Sequence, residues 1–370
     1  MKVMGIIFSN IYDSSLGELT NHRTVASLPF GGRYRQVDFA LSNMSNSGIY
    51  NIGIITKYNY RSLMDHLGTC SAWDLNRKNE GVVFLPPFAE GNTGAVYKGK
   101  LEALYSAVHF INNDAYDYVV ICDSTVLCNI NFNDVIKHHI SAKNDVTIVS
   151  SQSKVDKKCP LVLKTNGRGR VTEMKIDVRA EEDSHIGMGM FVISRQLLVD
   201  TIRDSYSRGY IHFERDFLQR KFNSGALKLG VYDFEGVVLH NSDVESYYKN
   251  SMALLEKDVR DGIFLKDSPI YTKVRDETPT YYKKGSKVSN CIIADGCVMM
   301  GTALDSVIFR EVVIEQGASV KSCIIMQGAK IEEGAQLECV ILDKDVTVTK
   351  GASLKGTPKH PVIVKKGEVV

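Results

Sequence analysis

Up to about residue 250, short apolar runs alternate with stretches in which apolar residues recur every three or four positions. Val3-Met4-Gly5-Ile6-Ile7-Phe8 is apolar throughout, which predicts a buried parallel strand. Residues 37–47 place Val37, Leu41 and Met44 on one face and stop at Gly48, which predicts a helix closed by glycine. Ile52-Gly53-Ile54-Ile55 predicts the next strand, and Leu101, Leu104, Tyr105, Val108 and Ile111 mark one face of a second helix. Tyr118 to Cys122 predicts another buried strand, ending at Asp123, and Asp145 to Val149 a further one. Repeated β-α-β at this spacing predicts a doubly wound α/β sheet with right-handed crossovers. Ligands of such sheets sit at the carboxyl ends of the strands, so a site is expected within residues 9–20, 92–100 and 123–128.

The texture changes near residue 285. Asn290-Cys291-Ile292-Ile293, Ser306-Val307-Ile308-Phe309, Ser322-Cys323-Ile324-Ile325 and Glu338-Cys339-Val340-Ile341 align at an interval of 16 residues. A second phrase keeps step, beginning at Gly301, Gly317, Gly334 and Gly351, and apolar positions lie six apart at Ile314/Val320, Ile331/Leu337 and Val348/Leu354. Six-residue periodicity with glycine at the corners predicts a parallel β-helix. Cys291, Cys323 and Cys339 fall at core-type positions and read as small hydrophobes rather than redox or metal groups. Ile292, Ile308 and Ile324 recur as an aliphatic row, expected to leave apolar surface that a partner covers. Pro269 and Pro279 mark a connector, so the expected division is 1–254 for the α/β domain, 255–284 for the connector and 285–370 for the β-helix.

Composition narrows the function classes. The 370 residues are 44% hydrophobic and 24% charged, an ordinary globular mixture of two-domain size. A net charge of +2 gives no electrostatic reason to expect nucleic acid or a membrane surface. No apolar run reaches the ~20 residues of a membrane span, and the opening MKVMGIIFSN is too short for a signal peptide. Eight cysteines without a CxxC pair argue against zinc, and disulfides are not expected. A cytoplasmic chain with reduced thiols is the expectation.

The loop after the first strand reads Phe8-Ser9-Asn10-Ile11-Tyr12-Asp13-Ser14-Ser15-Leu16. Phosphate-cradling loops use glycine and cations. This loop has neither before Gly17, and it carries an Asp, so it reads as an ordinary turn.

The stretch from Phe30 to Ile49, Phe-Gly-Gly-Arg-Tyr-Arg-Gln-Val-Asp-Phe-Ala-Leu-Ser-Asn-Met-Ser-Asn-Ser-Gly-Ile, resembles the ADP-glucose pyrophosphorylases (glucose-1-phosphate adenylyltransferases). Pro269-Ile270 and the terminal β-helix extend the resemblance over essentially the whole chain. It implies a nucleotidyltransferase, Rossmann-like mixed-sheet domain followed by a left-handed parallel β-helix. It also implies the reaction of ATP with glucose 1-phosphate to ADP-glucose and pyrophosphate, in bacterial glycogen synthesis.

Carried over residue by residue, the family's catalytic positions are degenerate. Its GGRGTRL loop places the catalytic arginine on Ser15, and the lysine of the following KP falls on Val25. WYRGTADA corresponds to Val96-Tyr97-Lys98-Gly99-Lys100-Leu101-Glu102-Ala103, keeping Tyr97 and Gly99 as residual substrate-binding positions. GDHIY keeps its metal aspartate at Asp123, read either as a vestigial ligand or as a strand-end turn cap. The sugar-phosphate lysine of FVEKP falls on Asp177, in a pocket that Pro160 and Gly187 also reshape, so glucose 1-phosphate is not expected to bind. The second metal aspartate falls on His240, or on Asp243 after a two-residue shift. The activator lysine falls on His22, with Arg23 beside it, and Arg35 matches a family arginine. Arg23, Arg33 and Arg35 either hold a small anionic effector or pair with Asp38 and other carboxylates in a packed turn.

Joining two anions at phosphorus depends on Mg²⁺ and fixed cations, and each lost stabiliser typically costs about 10²–10³ in rate. A preserved scaffold with a stripped pocket looks like the GlgD-type subunit of Gram-positive bacteria. The resemblance implies a regulatory, catalytically inactive chain that assembles with a catalytic GlgC-type subunit, as a heterotetramer, or as a homo-oligomer when alone. No cofactor is then required by this chain, and Mg²⁺ serves the assembled enzyme. The alternatives are a weakly active adenylyltransferase and a non-enzymatic nucleotide or sugar-phosphate sensor. A β-helix acyltransferase is disfavoured, because within 285–370 the one histidine, His360, lies beyond the repeat.

Overall fold

A computed structural model describes residues 1–10, 13–87, 97–152 and 157–370. Residues 92–96 of the second expected site segment, with Ile11 and Tyr12 of the first, lie outside the described residues.

A mixed nine-stranded sheet organises the first domain. Its strands are β1 (Val3–Phe8), β2 (Asn51–Ile55), β3 (Gly81–Leu85), β4 (Tyr118–Asp123), β5 (Val146–Ser151), β6 (Val162–Thr165), β7 (Val171–Lys175), β8 (His185–Ser194) and β9 (Leu229–Asp233). The order is β7-β6-β8-β4-β1-β2-β3, with β5 and then β9 continuing from the other side of β8. β1 runs parallel to β2 and β4, whereas β8 is antiparallel to both β4 and β5. The β-α-β spacing thus predicts the parallel part, and the antiparallel β8 in the middle is a departure from a simply doubly wound sheet. β1 and β4 are buried on both faces, which is why they read as unbroken apolar runs. The predicted helix at 37–47 is α1 (Gln36–Asn46). The predicted face from Leu101 to Ile111 belongs to α2 (Lys100–Ser106) and a short turn, Val108–Ile111, interrupted at Ala107.

The second domain is a left-handed β-helix of three parallel sheets with five short strands each. Ile314, Ile331 and Val348 stack in one sheet, and Val320, Leu337 and Leu354 in the next. The coil length departs from the uniform interval of 16. Val298 pairs with Val313 and Val313 with Lys330, steps of 15 and then 17. Six-residue sides with a shortened corner produce the odd numbers. An even spacing of 16 would slip the strands by one residue and turn side chains to the wrong face.

The two domains share a core. Leu16, Leu28, Phe30, Phe39 and Tyr247 of the first pack with Val307, Ile324, Met326 and Ile341 of the second. The expectation that Ile292, Ile308 and Ile324 leave surface for a partner is corrected accordingly. Ile308 lies inside the β-helix, Ile324 is sealed by the chain's own first domain, and Ile292 is half-buried against the same cluster. Cys323 and Cys339 are buried and Cys291 half-buried, and all eight cysteines are free thiols.

Candidate functional site

Two places on this frame gather charged side chains. The first lies at the carboxyl ends of β1 and β4. Asp123, the last residue of β4, points into a pocket that Pro160, Leu161, Gly187, Glu214 and His240 also line. β8 bulges beside it, its register against β5 shifting between Gly187 and Met190. Gly189 sits in the bulge at φ +66, and a Cβ there would meet Asp123 Oδ2 at 2.4 Å, so only glycine lets the carboxylate lie where it does. Glu214 arrives on a π-helical segment, Phe213–Gln219. His240 pairs with Val126 in a two-stranded ribbon.

Beneath the pocket lies Lys100, in the first turn of α2. Its Nζ donates to Asp123 Oδ2 at 2.9 Å and to Glu214 Oε1. The Lys100 side chain is 5% exposed, and its ammonium stands 5.7 and 5.6 Å from the ring centres of Phe8 and Phe191. Burial raises the Asp123 carboxyl to about 6, against the lowering pull of Lys100. Burial likewise holds the His240 imidazole down to about 4, so it is neutral at pH 7. Among the described residues that line the pocket there is no Lys or Arg.

The residues present do not fit a divalent cation. Asp123 Oδ1 is buried with no hydrogen-bond partner among the described residues, which leaves one oxygen to offer. Its companion Oδ2 and the Glu214 carboxylate are already bound by an ammonium. Mg²⁺ requires a near-octahedral oxygen shell, and no group of three His, Cys, Asp or Glu side chains suited to a metal occurs among the described residues.

The other positions singled out by the resemblance are scattered. Ser15 is exposed on the turn Asp13–Thr20. Val25 is fully buried in the interdomain core. Asp177 is exposed at φ +55, its carboxylate 3.4 Å from the Arg215 guanidinium. It does not line the pocket at Asp123. Pro160, Gly187 and His240 do meet at the pocket. Asp243 instead caps the helix Val244–Ala253, accepting from the Ser246 N–H. Tyr97 donates its hydroxyl to the Thr56 carbonyl. Gly99 packs so closely on Ile211 that a Cβ would come within 2.5 Å of that residue's carbonyl oxygen. Both retained residues therefore have evident packing roles.

The second gathering is a narrow cleft between the domains. Arg33, Arg35, Lys273, Arg275, Arg310 and Lys344 line it. Arg35 is buried, donates to the Ser62 carbonyl at 2.6 Å and Ser62 Oγ at 2.8 Å, and is lowered to about 10 by desolvation. Desolvation and the nearby Arg35, Arg23 and Arg275 bring Lys344 down to about 7. Arg310 Nε is buried without a hydrogen-bond acceptor among the described residues. Arg23 is not part of this cleft. Its guanidinium makes 2.6 and 2.8 Å hydrogen bonds to both oxygens of buried Asp343 in the β-helix. Neither Arg23 nor Arg35 uses its guanidinium on Asp38. That carboxylate accepts from the Arg35 backbone N–H and faces His66 at 2.6 Å.

Reading the sequence missed Lys100 and Glu214, and it missed four of the six cleft cations. Lys100 carried a local signal, a lysine at the start of an apolar helix face. The cleft cations carried none, being spread from 33 to 344.

Together, a mixed α/β sheet with a site at its strand ends and a hexapeptide β-helix define a nucleotidyltransferase-type architecture. The Nucleotidyl transferase family model matches residues 5–252, and the "GlmU-like, C-terminal hexapeptide" model matches 277–359. The chain is 38% identical over 371 residues to the glycogen biosynthesis protein GlgD of Geobacillus stearothermophilus, across 100% of this chain and 97% of the relative. It is 34% identical to GlgD of Bacillus subtilis (strain 168), with the same coverage. It is 30% identical to a glucose-1-phosphate adenylyltransferase of Bacillus thuringiensis (strain Al Hakam), across 89% of this chain and 88% of the relative. The chain belongs to the glucose-1-phosphate adenylyltransferase family, on the side of its GlgD proteins. Among the described residues no helix is long and apolar enough to cross a membrane.

Proposed function

We propose that this chain is a regulatory, catalytically inactive subunit of glucose-1-phosphate adenylyltransferase in bacterial glycogen biosynthesis, assembling with a catalytic GlgC-type subunit. The observation that carries the reading is the lining of the strand-end pocket. It presents carboxylates and a neutral imidazole, and no Lys or Arg among its described residues, to substrates that are phosphate anions. Nucleotidyl transfer needs fixed cations around the phosphates. With Ser15 exposed, Val25 in the core and Asp177 at the surface, none is supplied from the positions the family uses. Mg²⁺ then belongs to the catalytic partner. The interdomain cleft supports a regulatory role, because six cations converge on a space that a small anionic effector would neutralise.

Assembly has a surface to use. The strands Tyr281–Tyr282 and Lys287–Ser289 form the outer edge of the first coil, with Tyr281, Tyr282 and Val288 exposed. Open edges of this kind are usually covered.

The test is twofold. Purified alone with Mg²⁺, ATP and glucose 1-phosphate, the chain is expected to make no ADP-glucose above background. Co-expressed with a catalytic GlgC-type chain, it is expected to elute as one complex, a heterotetramer, with altered activity or effector response. Turnover by the isolated chain within about tenfold of catalytic relatives would establish the weakly active enzyme instead. Separate elution of the two chains would defeat the partner reading.

A further inference from the structure

We infer that Lys100 is a built-in replacement for a divalent cation: its tethered ammonium holds Asp123 and Glu214 together at the strand ends and keeps metal ions out. The inference rests on this structure's geometry and does not need the partner reading above.

Two carboxylates converge beneath one pocket, one from the end of a central strand and one from a π-helical segment. Left alone they would repel each other at close range in a poorly solvated place. Either a shared proton or a cation relieves that repulsion, and a hard divalent ion is a common cation for oxygen ligands. Here the cation is supplied covalently. Lys100 reaches both carboxylates from below, with 5% of its side chain exposed. The aromatic faces of Phe8 and Phe191 flank the ammonium. Phe8 closes β1, and Phe191 lies on β8, which also lines the pocket.

The replacement changes what the pocket can do. A divalent ion would carry two charges and open coordination positions able to bind a phosphate. The ammonium carries one charge, already shared between two acids, and has no coordination position to offer. The pocket above it is therefore left with Asp123 Oδ1 and the neutral His240, neither of which attracts a phosphate. One substitution both preserves the packing around Asp123 and disables the recruitment of a metal–nucleotide complex.

The test is binding of Mn²⁺ alone to the full chain, read by water-proton relaxation and by thermal shift. The unmodified chain is expected to show no saturable site at millimolar Mn²⁺ and no change in Tm. Lys100→Thr is expected to gain one Mn²⁺ site, bound at least about tenfold more tightly than by the unmodified chain. That site should vanish in Lys100→Thr/Asp123→Asn. Lys100→Met, closer in length, serves if the threonine variant does not fold. It should have a lowered Tm that Mn²⁺ restores. Saturable Mn²⁺ binding by the unmodified chain that Asp123→Asn abolishes would overturn the inference. So would a folded Lys100 variant without Asp123-dependent binding. Neither result bears on assembly with a catalytic chain, so the two readings fail separately.

Discussion

Lys344 shows how one residue acquires a property that its type does not have. An ordinary lysine stays charged up to about pH 10. Here desolvation, with Arg35, Arg23 and Arg275 close by and Asp343 opposing them, brings the group to about 7. The sign follows from proton counting. Between pH 7 and the unfolded value, the unfolded chain holds a proton that the folded chain has given up. Stability of the anion-free protein should therefore rise as pH climbs through that window. An anion in the cleft reverses the local balance by favouring the charged form. Sulfate, whose own charge is constant here, should bind up to about tenfold more tightly at pH 6 than at pH 8, with proton uptake. His66 shares the cleft, and burial holds it below its usual value against the raising pull of Asp38. Calorimetry in buffers of different ionisation enthalpy checks the uptake, and Lys344→Met should remove the pH dependence. Equal affinity at both pH values would show that Lys344 does not face the anion.

The most recognisable phrase of the chain is, at the level of elements, a fastening. It runs from the strand Pro29–Phe30 through α1. Asn43 donates to the Cys128 carbonyl at 2.9 Å and accepts from the Ile130 N–H at 3.2 Å. Ser45 donates to the Trp73 carbonyl, and Ser47 Oγ accepts from the Phe132 N–H. Beside them, Ser42 accepts from the Tyr271 N–H and Asn46 donates to the Pro269 carbonyl, which binds the connector down. α1 is buried at nearly every position because it is held by polar bonds on sides where a helix normally meets water. Asn43→Ala would strip two buried backbone groups of their partner. A loss of roughly 2–4 kcal/mol in unfolding free energy is expected by denaturant titration. Asn43→Asp, which keeps the acceptor alone, should fall short of the native residue as well. A change below about 0.5 kcal/mol would mean that water replaces both bonds.

Across the whole molecule, the β-helix is locked to the sheet domain rather than tethered to it. Arg23 and Asp343 are 3% exposed each and form a bidentate pair 320 residues apart in sequence. Tyr248 donates to the Ser322 carbonyl across the boundary, adding a polar bond to the shared apolar core. The pair lies beside the cationic cleft, so it also fixes how the cleft's two walls face each other. Removing one partner leaves a buried charge unmatched, so Arg23→Ala should cost about 3–5 kcal/mol. Arg23→Met/Asp343→Leu removes both charges and should be far milder, because a buried pair is often replaceable by apolar packing. Thermal unfolding of the three variants checks this. A double variant as damaged as the single would mean that the pair contributes more than charge neutralisation.

Sequence periodicity by itself determined the elements that depend on local patterning. β1, β2, β4 and α1 were legible because burial on both faces writes an apolar run and a helix face writes a three-to-four spacing. The β-helix was legible because each coil repeats the same corner and the same inward side chain. Its coil length was misjudged by one residue, since spacing alone does not reveal how corners shorten. The antiparallel course of β8 was not legible from spacing, because direction is a property of pairing and not of a strand's own residues. That Ser15, Val25 and His240 bring no fixed charge was readable, since charge is carried by residue type. Whether a charge meets another was not readable. Only the tertiary structure decided that Asp177 lies outside the pocket and that Arg23 is bound to Asp343. Only it placed Lys100 between Asp123 and Glu214 and drew six cations from distant segments into one cleft. Electrostatic effects act over a few ångströms of space and depend on local burial, and neither distance nor burial follows from the order of residues along the chain.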